Sequence, residues 1–238
     1  MVPFFRKSIA HTLVCLHRLN SFFIEKNFYI IIKKIPIGDF DLLGIFLDTE
    51  TNGLNWSKHV ILEIAFIIKN LNTGKTIDTY ESMIIPTKDE WERSDPESLS
   101  YTGITLKNLE GRGKPKSEVS KAIIQLFKKH GLERGKAVFI CQNPSFDRIF
   151  FSGLIDVDNQ ERLNFPYYWL DLASMFWSKH ISKNARFDIF SISKDAIGNY
   201  YGIEPEHKPH RALQGVEHLI TCYTSVVGFP EKDTLSHV

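Results

Sequence analysis

Residues 43–54 read LGIFLDTETNGL, and the pattern of an α/β domain begins with this stretch. Its first part, Leu43–Leu47, is short and apolar, which predicts a buried β-strand. Asp48 and Glu50 follow directly. Because side chains two positions apart on a strand share a face, both carboxylates can reach one hard cation. The D-x-E pattern is also short enough to recur by chance, in which case the two acids only begin a polar turn.

The segments around this stretch predict an α/β domain. Val60–Ile68 and Thr76–Ile85 are strand-like, and a turn signal at residues 72–74 separates them. Three strands in such close succession indicate an antiparallel meander. Residues 118–130 have the apolar spacing of a helix, and Ala137–Cys141 is a further short apolar strand.

The rest of the chain carries weaker patterns. A helix is predicted from Asn143 to Leu154, because Asn143 is a candidate N-cap and a proline follows it. A strand is expected over residues 167–170, and helices over about 188–200 and 210–227. Residues 86–116 are polar and are expected to form an irregular loop over one face.

Two further segments carry residues with catalytic potential. Asp147 lies in the first turn of the helix predicted after Ala137–Cys141, where an acid is commonly only a partner of the helix dipole. His210 opens the last predicted helix. With His207 and His218 it also suggests a zinc site, but no H-E-x-x-H motif or cysteine ligand accompanies these histidines.

The composition is typical of a folded globular protein. Of 238 residues, 43% are apolar, which is enough for one sizeable core. The 29 Lys and Arg nearly cancel the 28 Asp and Glu, so the total charge does not demand a nucleic-acid or membrane partner. Three cysteines without a C-x-x-C pair argue against a disulfide framework, and no apolar run is long enough to cross a bilayer. We therefore expect a cytoplasmic protein without a membrane partner.

The first 40 residues differ from the remainder in charge. They carry six basic and two acidic residues, so their net charge is +4 while that of the remaining chain is −3. We expect residues 1–40 to be a basic accessory or leader-like extension and residues 41–230 to form the functional domain. Residues 231–238 are expected to be a short tail.

Taken together, the three segments that carry Asp48, Asp147 and His210 resemble one family. FLDTETNGLN, CQNPSFD and HRAL, in this order, resemble the DEDDh 3′–5′ exonucleases, to which the proofreading subunit of bacterial DNA polymerase III belongs. The segments LEIA at 62–65, YTGIT at 101–105 and LDLA at 170–173 resemble further parts of that family. The resemblance runs from about Gly44 to Val227.

The resemblance implies an RNase H-like fold, in which a mixed five-stranded sheet (three antiparallel strands plus two parallel ones) has helices on both faces. It also implies two Mg²⁺ or Mn²⁺ ions that act on a phosphodiester at the strand ends. The implied site residues are Asp48, Glu50 and Asp147 as metal ligands, His210 as the general base, and Thr49, Leu54 and Asn143 at the terminal nucleotide.

One position departs from the family pattern. The fourth carboxylate of the family falls five residues after the histidine, where this chain has Gly215. Glu217 lies about 200° further around the helix, and the neutral imidazole of His218 is a poor ligand for Mg²⁺, so neither is assigned to the site. We expect one metal ion to bind weakly, and activity to be low unless another group replaces the missing ligand.

The leading hypothesis is a metal-dependent 3′–5′ exonuclease that acts on single-stranded 3′ ends, with DNA favoured over RNA. A polymerase partner is not expected, because little sequence follows Val227. The alternatives are an exoribonuclease and a catalytically degraded nucleic-acid-binding module. A purely structural use of the acids would leave Asp48, Glu50 and Asp147 far apart.

Overall fold

The structure, a computed structural model, describes residues 41–181 and 191–230. The expected extension at 1–40 and tail at 231–238 lie outside these residues, as do residues 188–190 of one predicted helix. Six strands are present in the described part: β1 Leu43–Thr51, β2 Ile61–Asn70, β3 Thr76–Ile85, β4 Lys114–Pro115, β5 Ala137–Cys141 and β6 Trp169–Asp171. They form one sheet in the order β4-β3-β2-β1-β5-β6.

The helices of the described residues follow the strands in two groups. The first group lies between β3 and β5: α1 Lys88–Glu92, α2 Pro96–Thr102, α3 Leu106–Arg112 and α4 Lys116–His130. The second group follows β5: α5 Pro144–Leu154, α6 Val157–Arg162, α7 Leu172–Ile181, α8 Lys194–Tyr200 and α9 Ala212–Val226. None of the described helices is both long enough and apolar enough to cross a membrane.

Strand β1 lies near the middle of the sheet and is buried along most of its length. It pairs antiparallel with β2, which pairs antiparallel with β3, as the meander predicted. On its other side β1 pairs in parallel with β5, and β5 with β6. Parallel neighbours require a crossover, which here contains helices α1 to α4 between β3 and β5.

Two apolar layers cover the two faces of the sheet. Ile45 and Leu47 of β1 pack in one core with side chains of α4 and α5. Phe46, between them, packs in a second core with side chains of α7, α8 and α9. Alternate residues of a strand point to opposite faces, so one continuous apolar strand supplies both cores.

The predicted fold class is confirmed: the sheet is mixed and helices cover both of its faces. The structure adds a sixth strand, the two-residue β4, which lies in parallel beside β3 at the edge. Strand β1 is also longer than expected, because its pairing with β2 continues through Thr51. Asp48 and Glu50 are therefore residues of the strand itself.

The prediction of an irregular loop over residues 86–116 was wrong. This segment contains α1, α2, α3 and β4. Its helices begin at side-chain caps: Thr87 and Thr105 form capping boxes, and Asp95 caps α2 just before Pro96. These helices have seven residues or fewer, which is too short for a helical spacing of apolar residues to be recognised. Their cap residues were therefore the local feature of the sequence that could have indicated helices.

Candidate active site

The end of β1 projects beyond its parallel neighbour. The pairing of β1 with β5 ends at Phe46 and Ile140, whereas its pairing with β2 continues to Thr51. Asp48 and Glu50 therefore lie past the carboxyl end of β5, at the edge where open α/β sheets commonly bind ligands. The Glu50 side chain is buried and makes no hydrogen bond or ion pair with other side chains of the described residues.

Asp147 joins this edge from the helix that follows β5. Helix α5 begins at Pro144, directly after Asn143, which is in the left-handed conformation, and its residue Asp147 contacts Thr49 of β1. Asp147 is buried, and its Oδ1 accepts a hydrogen bond of 2.8 Å from the Thr49 hydroxyl. Asp147 is thus joined to the residue that separates Asp48 from Glu50.

His210 is held at the site by its own contacts with Tyr101 and by the contacts of the next two residues with Glu63. Its backbone N–H donates to the Tyr101 carbonyl at 3.2 Å, and its ring stacks on the Tyr101 ring with centroids 4.1 Å apart. The next residue, Arg211, donates from Nε to Oε2 of Glu63 at 2.9 Å, and its Nη2 also contacts that carboxylate. The Ala212 backbone N–H donates to the same Oε2 at 3.1 Å, so the fully buried Glu63 of β2 fixes the start of α9.

Glu206 and Lys194, which the sequence analysis did not assign, lie inside the site. The Lys194 ammonium is 2.7 Å from Oε2 of Glu206 and 3.5 Å from Oδ1 of Asp48. The Glu206 side chain is 2% exposed. We call Asp48, Glu50, Asp147 and Glu206 the acidic cluster.

Glu206 also faces the histidine. Its Oε1 lies 3.2 Å from Nδ1 of His210, yet the alignment falls short of a hydrogen bond, and both Oε1 and the buried Nε2 of His210 have no hydrogen-bond partner. One carboxylate oxygen of Glu50, one of Glu206 and one ring nitrogen of His210 lie within 4.8 Å of one another. This separation is compatible with a single ion between them.

Gly215 lies against the acidic cluster, without a side chain of its own. A Cβ at this position would lie 2.1 Å from Oδ2 of Asp48 and 3.1 Å from Oε1 of Glu206. The two carboxylates therefore occupy the space that a side chain at 215 would need. Glu217 is exposed, and Nε2 of His218 lies 3.0 Å from the Glu204 carbonyl oxygen, so neither replaces it.

Burial and mutual repulsion raise the pKa values of Asp48, Glu50 and Asp147. Burial, and after it the charge of Asp48, raises the pKa of Glu50 to about 9 and holds that of Asp147 well above its usual range. Burial also raises the pKa of Asp48 to about 6, although Lys194 opposes the rise. Burial disfavours the charged lysine, but Asp48 and Glu206 outweigh this and raise the pKa of Lys194. The cluster therefore needs positive charge in order to ionise fully.

The oxygen-rich donor set fits a hard divalent cation such as Mg²⁺ or Mn²⁺. Such ions prefer carboxylate oxygens, and binding an ion would satisfy acids that otherwise retain protons. Oε1 of Glu206 is a buried acceptor without a hydrogen bond, which is where a cation is most favourable.

Of the three predicted substrate residues, Thr49 and Leu54 line the same cavity, whereas Asn143 does not. Thr49 and Leu54 line an open cavity of about 340 Å³ beside Glu50, together with Tyr101 and Phe146. Leu54 is 79% exposed, so its side chain is available for contact. Asn143 instead precedes α5, where its side chain accepts a hydrogen bond from Ser145, and no hydrogen bond joins it to the acidic cluster in the described residues.

Comparison with known proteins gives consistent matches. A family model with the description "Exonuclease" (RNase_T) matches residues 45–223. Ribonuclease T of Actinobacillus pleuropneumoniae serotype 5b (strain L20) is 27% identical over 139 residues, which cover 56% of this chain and 63% of that protein. Ribonuclease T of Haemophilus ducreyi (strain 35000HP / ATCC 700724) is 28% identical over 141 residues, covering 56% and 64%. The chain thus matches less than two thirds of the length of these relatives.

Solved structures share the fold. Cell-death related nuclease 4 superposes with a TM-score of 0.61 at 15% identity, covering 78% of this chain and 63% of that one. E. coli Exonuclease I in complex with a dA16 oligonucleotide superposes with a TM-score of 0.60 at 17% identity, covering 78% and 41%. At these identities the likeness shows a common architecture.

Proposed function

The chain belongs to the exonuclease family, and from this premise we propose that it is a metal-dependent 3′–5′ exonuclease that removes nucleotides from single-stranded 3′ ends. The observation that carries the proposal is the meeting of Asp48, Glu50, Asp147 and His210 at one sheet edge, although they come from three distant parts of the chain. If these acids had only structural roles, they would not need to lie close together in a buried site, where their charges repel.

The acidic residues have the role of metal ligands in this proposal. Asp48, Glu50 and Asp147 would hold the divalent cation, whose charge would stabilise the attacking and leaving oxygens of the phosphodiester. Thr49 orients Asp147 by its hydrogen bond of 2.8 Å. Through this cation, the carboxylates would position the reacting phosphate.

His210 has the role of general base. Its ring is clamped against Tyr101, and its Nε2 is free of hydrogen bonds, so this nitrogen can take the proton of the attacking water. Glu206 beside Nδ1 favours the tautomer that carries its proton there and leaves the lone pair on Nε2. Histidine is the side chain most often used for such a proton transfer.

The substrate would enter through the cavity beside Glu50. Its lining by Leu54, Tyr101 and Phe146 offers apolar and aromatic faces for a terminal base, and stacking of this kind tolerates any sequence. We favour DNA over RNA on the resemblance of residues 48–54 to proofreading enzymes, and solved neighbours were crystallised with deoxyoligonucleotides. An exoribonuclease is the alternative, because the sequence relatives carry the name ribonuclease T.

Digestion of 5′-labelled single strands tests the proposal directly. We expect stepwise shortening from the 3′ end in Mg²⁺ or Mn²⁺, faster for DNA than for RNA of the same sequence, and none with excess chelator. His210→Ala should slow the reaction by about a hundredfold to ten-thousandfold, the usual contribution of a general base.

A matched pair of variants separates the site from general effects of charge. Asp147→Asn should abolish shortening, whereas Asp158→Asn, in the first turn of α6, should leave it unchanged because Asp158 is exposed. Shortening that survives Asp147→Asn would contradict the assigned site. Faster digestion of RNA than of DNA would be consistent with a nuclease but would contradict the proposed preference for DNA.

A nucleic-acid-binding module without catalysis is a second candidate, because Lys194 already neutralises part of the acidic cluster. It predicts binding of single strands, measured by fluorescence anisotropy, without shortening at any metal concentration.

A further inference from the structure

The acidic cluster already contains a cation. The Lys194 ammonium lies between Oε2 of Glu206, at 2.7 Å, and Oδ1 of Asp48, at 3.5 Å, and its side chain is only 14% exposed. Lysine is costly to bury as a charge unless carboxylates surround it, and here two do. One end of the cluster is therefore occupied by a fixed positive charge.

Glu206 brings its carboxylate to the space beside Gly215. A Cβ at 215 would be 3.1 Å from Oε1 of Glu206, so this carboxylate lies where a side chain from α9 would otherwise enter. The loop that carries Glu206 is held against α8, because the Glu206 backbone N–H donates to Oδ1 of Asp195 at 3.4 Å. Glu206 and Lys194 are thus fixed together by adjacent residues of one helix.

The two oxygens of Glu206 have different surroundings. Oε2 contacts the ammonium, whereas Oε1 is buried, has no hydrogen bond and faces Glu50 and His210. The Glu50 carboxylate, also buried, has no ion pair with a described residue. A possible donor to Oε1, Nδ1 of His210, lies 3.2 Å away without forming a hydrogen bond. A buried acceptor without a hydrogen bond costs free energy, and a cation at this place would remove that cost.

We propose that Glu206 is a metal ligand in addition to Asp48, Glu50 and Asp147, and that Lys194 takes the place of a second cation in the cluster, so that the site binds a single divalent ion. The inference deepens the proposed function. Lys194 contacts Asp48 and Oε2 of Glu206, and Oε1 of Glu206 would be the oxygen offered to the ion. Only one ion binds, because the Lys194 ammonium already supplies the positive charge that a second ion would bring.

Counting bound Mn²⁺ tests the proposal without any substrate. Titration of the metal-free full chain, followed by electron paramagnetic resonance of free Mn²⁺ and by calorimetry, should give one ion per chain. Lys194→Met removes the ammonium and retains similar bulk, so a second Mn²⁺ should bind. Lys121→Met, on the exposed face of α4, is the matched control and should still bind one.

A second pair of variants tests Glu206 itself. Glu206→Gln should weaken Mn²⁺ binding by about tenfold to a hundredfold or more, since even partners of metal ligands contribute this much. Glu204→Gln lies two residues away on the same loop with an exposed side chain, and it should bind Mn²⁺ as the wild type does.

Two ions of similar affinity in the wild type, or no bound ion, would overturn the proposal. It would also be overturned by a folded Lys194→Met variant that binds one ion, or by unchanged binding in Glu206→Gln. If Lys194→Met fails to fold, the wild-type count and Glu206→Gln decide. If the chain binds one Mn²⁺ but does not shorten single strands, the proposed function is rejected and this inference stands. If it shortens single strands but binds two ions, the proposed function stands and this inference is rejected.

Discussion

The space beside Gly215 is occupied by side chains from other parts of the chain. By the family pattern this position has lost a ligand, yet the space beside it contains the carboxylates of Asp48 and Glu206. A group from another part of the chain thus lies where the absent side chain would be. The expectation of low activity was conditional on no such replacement, and Glu206 is the candidate for that role.

Gly215→Asp should therefore destabilise the protein. The new Cβ would meet Oδ2 of Asp48 at 2.1 Å, and a further negative charge would enter a cluster that already repels itself. Overpacking of this kind costs about 1–3 kcal/mol in the free energy of unfolding. Urea denaturation of the metal-free variant measures this cost, and Mn²⁺ titration should show no tighter binding than in the wild type.

The control for this substitution is Gly153→Asp. Gly153 lies in helix α5, and a Cβ there would have no neighbour within 4 Å. This variant should unfold at about the wild-type urea concentration. Equal stability of the two variants would show that the space beside Gly215 is not filled as described.

At the level of the elements, one ion pair joins the sheet to the start of helix α9. Glu63 of β2 receives hydrogen bonds from the Arg211 guanidinium and from the Ala212 backbone N–H. These bonds connect the start of α9 to the strand that lies beside β1. They therefore fix His210, one residue earlier, relative to Asp48 and Glu50.

Arg211→Met should cost about 3 kcal/mol in the free energy of unfolding, because it leaves the fully buried Glu63 without its charged partner. The double variant Glu63→Gln/Arg211→Met should regain part of this loss, since no uncompensated charge remains. Urea denaturation at saturating Mn²⁺ measures both. A single variant as stable as the wild type would mean that the pair does not anchor α9.

The short helices before β4 matter for function as well as for fold. Tyr101, whose ring stacks on His210, belongs to α2, which begins at the Asp95 cap and ends at Gly103 in the left-handed conformation. The predicted irregular loop is thus a set of capped helices that positions the proposed base. The cap residues are a local signal that the loop prediction did not use, and no local signal predicts that one of these helices would contact His210.

At the scale of the whole molecule, the acidic cluster couples stability to pH and metal. The folded-state pKa values of Asp48, about 6, and Glu50, about 9, lie above those of unfolded carboxyls, so the folded chain binds more protons at neutral pH. Stability then falls as pH rises, because protons must leave groups that are buried together. A bound divalent ion removes this penalty and should stabilise most at high pH.

Thermal unfolding in excess chelator tests this coupling. From about pH 5 to about pH 9 the metal-free melting temperature should fall, and Glu50→Gln should reduce the fall in the upper half of that range. Adding Mn²⁺ should raise the melting temperature more at the alkaline end than at the acid end. A metal-free protein that becomes more stable toward pH 9 would contradict the assigned repulsion.

The sequence by itself determined the meander, the strand that carries Asp48 and Glu50, and the helix after β5 that carries Asp147. These elements could be predicted because apolar period, turn residues and caps are local properties of the chain. Their order and the motifs they carry also identified the family.

Only the tertiary structure decided what surrounds the acids. Lys194 lies at the first turn of a short helix and Glu206 in a loop, and neither position has a periodic pattern that predicts where its side chain points. The contact of Lys194 with Asp48 joins residues nearly 150 positions apart in the chain. Such contacts depend on how whole elements pack, because the charge of a residue reveals its type and not its partner.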